Sequence, residues 1–196
     1  MNLFEAGFDD FGCVLDLYNS LPFLRYHGIE KYAKSRLKLE HDNGEGGRSS
    51  GFYSPADSIY TRYLNYCEQV QMLNTLTETE FNSIFNLEFE KNIETYISNS
   101  INRTTEYGIG IFSNLFHKFP DKQIPQKIVS WFFSNSTPDS YLLFKVMTSD
   151  DYAISGIDFI YKQADINKLL EHFPGKIIYQ SNINSFDTYL VQKNST

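Results

Sequence analysis

Apolar side chains recur at three- and four-residue intervals through the first two-thirds of this 196-residue chain. This spacing predicts amphipathic helices, because residues three and four apart share one face of a helix. The most regular stretch begins with Thr77 and Glu80, which have the spacing of a capping box. The predicted helices cover residues 10–21, 29–40, 55–74, 77–98, 106–119 and 128–133.

The helix predicted over 77–98 has two contrasting faces. One carries a stripe of large apolar side chains: Phe81, Phe85, Phe89, Ile93 and Tyr96. The opposite face carries Glu80, Glu90 and Glu94. A solvated helix surface and a surface that binds a basic partner share this pattern, so both interpretations stay open here.

The pattern changes after residue 135, where short β-branched and aromatic runs alternate with turn residues. It predicts strands at 141–147 and 152–161, a helix at 165–173, and a final hairpin of 176–180 with 186–192. The predicted fold class is therefore α+β. A mainly helical part, 1–135, packs on a small, mostly antiparallel sheet in 136–196, which has the order hairpin, helix, hairpin. Without a low-complexity linker, residues 1–196 are predicted to form one domain.

Composition allows a substantial core, since 41% of the residues are hydrophobic and 16% are aromatic. No apolar run is long enough to cross a bilayer, and the first ten residues lack the basic start and apolar centre of a secretory signal. Cys13 and Cys67 have no metal-binding spacing. These features predict a cytoplasmic protein with two free thiols and no contact with a membrane.

The negative charge of the chain is concentrated in one segment rather than spread evenly along the sequence. The formal net charge is −7, and the segment 68–94 holds six glutamates against Lys91 alone. Phosphate contacts supply most of the affinity of nucleic-acid binders, so such a chain is not expected to bind nucleic acid. An acidic surface suits a basic protein partner instead.

Familiar catalytic and metal-binding patterns are missing from the sequence. Its four histidines are scattered without the HExxH spacing, and neither GxSxG nor GxGxxG nor a P-loop occurs. Asp150 and Asp151 form a paired carboxylate, although turns favour aspartate for backbone reasons. The sequence therefore predicts no metal and no cofactor.

One stretch, residues 24–64, resembles the front of ADP-ribosyltransferases of the His-Tyr-Glu type. It contains Tyr26-His27-Gly28, then a predicted helix, then Gly51-Phe52-Tyr53. In that family the histidine contacts the nicotinamide ribose of NAD and the tyrosine stacks on the nicotinamide ring. The resemblance implies an enzyme that uses NAD, with His27 and Tyr53 as catalytic residues.

The general character of the chain resembles that of bacterial toxin-immunity proteins, including those of contact-dependent inhibition systems. It is acidic, poor in alanine, and rich in asparagine, isoleucine, tyrosine, phenylalanine and serine. This resemblance implies a non-enzymatic protein that binds a cognate, basic, nuclease-type toxin and blocks its active site. The predicted partner-binding residues are Glu80, Glu90, Glu94, Asp139, Asp150 and Asp151.

Overall fold

The fold was examined in a computed structural model that describes residues 1–8, 10–20, 25–37, 40–42, 48–50, 56–72, 74–100, 106–113, 115–151, 153 and 157–194. The strands, in chain order, are β1 (Asn2–Ala6), β2 (Arg25–Ile29), β3 (Glu40–Asp42), β4 (Arg48–Ser50), β5 (Phe85–Glu88), β6 (Tyr107–Phe112), β7 (Ser136–Met147), β8 (Gly175–Ile183) and β9 (Phe186–Lys193). The helices are α1 (Phe11–Ser20), α2 (Ile59–Gln69), α3 (Glu78–Ile84), α4 (Ile93–Asn99), α5 (Gln123–Ser134) and α6 (Gln163–Glu171). Short 3-10 turns span Lys34–Arg36 and Phe116–Lys118.

A seven-stranded sheet, in the order β5-β2-β1-β6-β7-β9-β8, forms the framework. The strands from β5 to β7 pair in parallel, whereas β9 runs antiparallel to both β7 and β8. Strands alternate with helices along much of the chain, which is the pattern of a doubly wound α/β sheet. The predicted α+β class, with a small antiparallel sheet under a helical N-terminal part, is therefore wrong.

Helices cover the sheet on both faces. Helices α1, α2 and α3 contribute to a hydrophobic cluster with β1, β2 and β5, and α4, α5 and α6 contribute to a second cluster. The neighbours Leu3 and Phe4 in β1 belong to different clusters and are 1% and 0% exposed. Successive strand residues point to opposite faces, so β1 is buried on both sides.

The helix predicted over 77–98 is divided into α3, β5 and α4. Its capping box is present, because Glu80 Oε2 accepts from the Thr77 amide at 2.8 Å and Thr77 Oγ1 accepts from the Glu80 amide at 3.3 Å. At Phe85 the chain instead becomes extended and pairs with Tyr26 of β2. Hydrogen bonding to a distant strand thus overrides the local helical period.

Two further predicted helices are not α-helices in the structure. The segment 106–119 contains β6 and the 3-10 turn Phe116–Lys118. In the segment 29–40, the described residues comprise the last residue of β2, a loop, the 3-10 turn Lys34–Arg36 and the first residue of β3. In β6 the spacing of isoleucine and glycine reflects packing, since a side chain on Gly110 would meet the Phe132 ring at 2.7 Å. That glycine lets α5 approach the sheet closely.

Other elements agree with the sequence pattern, namely α1, α2, α5, α6, β7 and the β8–β9 hairpin. Of the strand predicted over 152–161, residues 153 and 157–161 have no strand structure, and 152 and 154–156 lie outside the described residues. That residues 1–196 form one domain stays a prediction. None of the helices among the described residues has the length and apolar character needed to cross a membrane.

Candidate functional site

The sheet has a topological switch point between β1 and β6. The chain leaves β1 toward β2 on one side and leaves β6 toward β7 on the other. In open parallel sheets the loops diverge at such a point and leave a crevice outside the carboxyl ends of the strands, where ligands bind. The loops after β1, β2 and β6 therefore enclose the candidate site.

The loop after β1 makes a tight turn at Gly7. Its φ angle is +77°, a region that side-chain-bearing residues rarely adopt. The Gly7 amide donates to the Ile29 carbonyl oxygen at 3.0 Å, and a side chain on Gly7 would lie 4.0 Å from Leu115. Asp10 Oδ1 then accepts from the Gly12 amide at 2.9 Å, which caps α1. The turn thus joins β1 to the loops after β2 and β6.

A phenylalanine occupies the position after Gly7. Phe8 is 2% exposed, and its ring lies edge-on to Tyr26 and to Phe89, with the Phe89 centroid 5.7 Å away. A loop that cradles a pyrophosphate needs several glycines so that its backbone can approach the phosphates. This turn is packed with an aromatic ring instead.

Glu5 lies near the carboxyl end of β1 and is buried next to the hydroxyl of Tyr26. The side chain is 8% exposed, and Tyr26 Oη donates to Glu5 Oε2 at 2.9 Å. Burial raises the pKa of Glu5 to about 7, against the lowering effect of the Tyr26 hydrogen bond. The negative charges of Glu30 and Asp10 raise this pKa further. The crevice therefore carries a local excess of acidic groups.

Glu30 directly follows β2 and is 7% exposed. Its Oε1 accepts from the Tyr32 amide at 3.1 Å. Its backbone is held on both sides, because its amide donates to the Glu88 carbonyl at 2.8 Å and its carbonyl accepts from the Lys91 amide at 2.9 Å. An acidic residue at the end of the second strand, beyond a glycine turn, is the arrangement that binds ribose hydroxyls.

His117 lies at the carboxyl edge of the sheet, in the 3-10 turn after β6. It is 4% exposed, and its Nε2 is 3.7 Å from Asp158 Oδ1, while Lys118 also pairs with Asp158. Burial lowers the pKa of His117 to about 4, Lys118 and Lys145 lower it too, and Asp158 opposes them. The His117 imidazole is therefore neutral at pH 7, and its Nδ1, which is buried, has no hydrogen-bond partner among the described residues.

The histidine singled out by the sequence lies elsewhere. His27 is in the middle of β2, where its Nε2 is 2.8 Å from Glu88 Oε1 and its Nδ1 is 3.0 Å from Tyr107 Oη. The Phe4 ring packs edge-on against it. Tyr53 lies outside the described residues. His27 thus belongs to a network inside the sheet rather than to the crevice.

The three glutamates predicted to share a helix face are on separate elements. Glu80 belongs to the capping box of α3, Glu90 follows β5 with a φ angle of +56°, and Glu94 is in the first turn of α4. Asp139 lies in β7, and Asp150 and Asp151 follow that strand. That these six acids contact a partner stays a prediction.

The sequence interpretation missed Glu5, Gly7, Glu30 and His117. A signal for the first three was available, because Gly7 follows the apolar run of β1 and Glu30 comes 23 residues later, close to the spacing of about 20 in dinucleotide-binding units. No comparable signal marks His117. Among the described residues, no group of three histidine, cysteine, aspartate or glutamate side chains is arranged to hold a metal ion.

Comparison with known proteins identifies the architecture. No family model matches the sequence, and no curated protein matches it either. Solved structures do match: an O-methyltransferase family 2 protein from Planctomyces limnophilus in complex with apigenin has a TM-score of 0.58 at 10% identity, over 98% of this chain and 50% of that one. An S-adenosylmethionine-dependent methyltransferase from Clostridium acetobutylicum has a TM-score of 0.57 at 10% identity, over 98% of this chain and 84% of that one.

An O-methyltransferase family protein from Burkholderia thailandensis also matches, with a TM-score of 0.57 at 10% identity, over 99% of this chain and 51% of that one. The chain spans about half the length of this protein and of the one from P. limnophilus. The resemblances to immunity proteins and to ADP-ribosyltransferases are therefore wrong, because the fold matches solved structures of methyltransferases instead. The chain has the fold of S-adenosylmethionine-dependent methyltransferases.

Proposed function

We propose that this protein binds S-adenosylmethionine at the carboxyl edge between β1 and β6 and transfers a methyl group to a small molecule. The observation that carries the proposal is that Gly7 and Glu30 both lie at the switch point of the sheet. In this sheet β9 alone runs antiparallel to its neighbours. This replaces the toxin as the expected partner and NAD as the alternative ligand.

The charge of the crevice favours this ligand over a dinucleotide. Glu5, Asp10 and Glu30 lie close enough to act on one another electrostatically. Such a site repels the two phosphates of NAD, and Phe8 fills space that a phosphate-binding loop leaves to glycine. S-adenosylmethionine has no phosphate, and its sulfonium and ammonium groups are positive. An acidic crevice therefore attracts it.

Each residue of the crevice has a distinct task in this proposal. Gly7 lets the backbone approach the ligand closely, since no side chain projects from the turn. Glu30 accepts hydrogen bonds from the ribose hydroxyls, and its pinned backbone fixes the direction of its carboxylate. Glu5 and Asp10 face the positive groups. S-adenosylmethionine supplies an electrophilic methyl group when bound.

His117 is the residue we assign to the methyl acceptor. Its Nδ1 is buried, so the methyl acceptor would have to open a path to it on binding; the neutral imidazole could then accept a hydrogen bond from a hydroxyl of the acceptor through Nδ1. Asp158, 3.7 Å from Nε2, would stabilise the imidazolium as a proton arrives. The low pKa makes His117 a weak base in the ligand-free protein, so its first role is to orient the hydroxyl.

Calorimetric titration with S-adenosylmethionine and S-adenosylhomocysteine tests this proposal. We expect both to bind, and a ligand at 100 times its dissociation constant to raise the free energy of unfolding by about 2.7 kcal/mol. Glu30→Gln should weaken binding about ten-fold or more, because a charged hydrogen-bond acceptor is lost. Glu78→Gln, an exposed change in α3, should leave binding unchanged.

Two results would contradict the proposal. One is the absence of binding heat and of any shift in thermal midpoint at millimolar S-adenosylmethionine. The other is equal binding by the parent protein and Glu30→Gln, which would remove the ligand from the crevice after β2.

We also propose that the protein acts in the cytoplasm. Cys13 is exposed and Cys67 is buried, and neither forms a disulfide bond within the described part of the chain, which is the state of cysteines in a reducing compartment. Fractionation of cells that express the full chain would test this location.

A further inference from the structure

A second cleft opens at the opposite edge of the sheet, at the amino ends of β1, β2 and β6. It has a volume of about 200 Å³ and is bordered by Asn2, Arg25, Asn86 and Tyr107, with an apolar wall from Ile84. We propose that this cleft binds a small organic anion, such as a carboxylate with a compact apolar body. The proposal does not depend on the function assigned to the crevice at the carboxyl edge.

The strand registers gather hydrogen-bond donors at the cleft. Arg25 and His27 are two residues apart in β2 and so point to the same face of the sheet. Asn2 is the partner of Arg25 in β1, and Asn86 is the partner of His27 in β5. Three side chains that can donate hydrogen bonds to a ligand, those of Asn2, Arg25 and Asn86, are therefore neighbours at one edge, beside His27, whose two ring nitrogens are engaged by Tyr107 and Glu88.

Arg25 gives the cleft a positive charge. Among the described residues, no aspartate or glutamate borders the cleft. Within the part of the chain that the structure describes, Arg25 forms no ion pair, and neither Arg25 nor Asn86 makes a side-chain hydrogen bond. A guanidinium group beside an amide provides the planar, forked donors that suit a carboxylate.

The back of the cleft is held in place. The Tyr107 hydroxyl lies 3.0 Å from His27 Nδ1, and His27 Nε2 lies 2.8 Å from Glu88 Oε1. Tyr107 is 2% exposed, so neither ring can turn without disturbing the core. Side chains that are fixed before the ligand arrives lose little conformational entropy when it binds.

The wall beside Arg25 selects an anion with an apolar part. Ile84 borders the cleft and is only half-buried. Its apolar surface favours a hydrocarbon group over a bare inorganic ion. The volume limits the ligand to roughly the size of benzoate, since the site is smaller than the 300–1,000 Å³ of pockets that hold larger ligands.

An NMR titration of the full-length, ¹⁵N-labelled protein with benzoate tests this site, with neutral benzamide as the matched probe. We expect saturable shifts at the amides of Arg25, Asn86 and Tyr107 with benzoate and none with benzamide. Arg25→Gln should weaken benzoate binding about ten-fold or more. Lys127→Gln, an exposed change in α5, should leave the affinity as in the parent.

Arg25 is exposed, so Arg25→Gln is expected to fold, and an unchanged amide spectrum outside the cleft verifies this. The proposal is overturned if benzoate causes no saturable shift at these amides. It is also overturned if benzamide binds equally well, or if Arg25→Gln and Lys127→Gln bind benzoate alike. Binding of S-adenosylmethionine plays no part in any of these outcomes.

Discussion

Two buried ionisable residues at the carboxyl edge of the sheet respond to pH in opposite directions. Glu5 has a pKa raised to about 7, so the folded protein binds a proton there more tightly than the unfolded chain does. His117 has a pKa lowered to about 4, so the unfolded chain binds the proton more tightly. Between pH 4.5 and 6.5 their effects on the free energy of unfolding oppose each other. Substitution of one of the two residues is therefore needed to measure the effect of either on the free energy of unfolding.

For Glu5→Gln we expect a gain in stability at high pH. Stability from the raised pKa of Glu5 is fully present below pH 4.5 and is lost as the pH rises through about 7. Glutamine cannot ionise and keeps a carbonyl oxygen for the Tyr26 hydroxyl. At pH 8 the variant should exceed the parent by up to roughly 3 kcal/mol in free energy of unfolding, and at pH 4.5 the two should be similar.

Urea denaturation at pH 4.5 and pH 8 measures this difference. Glu171→Gln, at an exposed position in α6, provides the control and should track the parent at both values. A Glu5→Gln variant that is less stable than the parent at pH 8 would mean that the buried carboxylate is stabilised by groups other than Tyr26.

At the scale of elements, the contact between β6 and α5 sets how close the helix layer lies to the sheet. Gly110 in β6 faces Phe132 of α5, which is 0% exposed. Gly108, two residues earlier, faces Met1, which is 42% exposed. The same strand thus carries one glycine against a rigid core ring and another against a flexible side chain.

Gly110→Ala should destabilise the protein by about 1–3 kcal/mol, because its methyl group would lie 2.7 Å from the Phe132 ring and the packed core cannot yield. Gly108→Ala should cost much less, since the Met1 side chain can move away. Thermal or urea denaturation of both variants makes the comparison. Equal costs would argue that strand conformation, rather than the approach of α5, accounts for the effect.

At the scale of the whole molecule, protection from solvent decreases from the centre of the sheet to one edge. Strands β1 and β6 each have a strand on both sides, and residues of both belong to clusters on the two faces. Strand β8 ends the sheet and exposes large apolar side chains. These are Ile177, Ile178, Tyr179 and Ile183, which are 39%, 44%, 54% and 64% exposed.

Hydrogen exchange should follow this gradient. We expect the amides of β1 and β6 to exchange only on global unfolding, and those of β8 to exchange fastest among the strands of the sheet, because an edge strand opens locally at low cost. Strand β9, bonded on both sides, is the internal control and should exchange more slowly than β8. Equal protection of β8 and β9 in solution would show that another surface covers the edge.

Local pattern was sufficient for some elements. The capping box at Thr77, the periodic helices α1, α5 and α6, and the hairpin across Asn184 and Ser185 follow from residues close together in the chain. Their hydrogen bonds and faces are local, so a short window of sequence contains the information. Charge and composition did not act in this way, because the basic protein partner that they suggested is contradicted by the fold.

The sheet and the crevice depend on contacts that no short window contains. Strands β1, β2, β5 and β6 are four to six residues long and pair in parallel with distant segments, so their apolar residues carry no alternating pattern that distinguishes a strand from a helix. Phe85 lies in a strand because the backbone of β5 pairs with β2. Glu5, Glu30 and His117 stand at one edge because parallel strands align their carboxyl ends there. Strand order, set by packing on both faces, placed these three residues at one edge of the sheet.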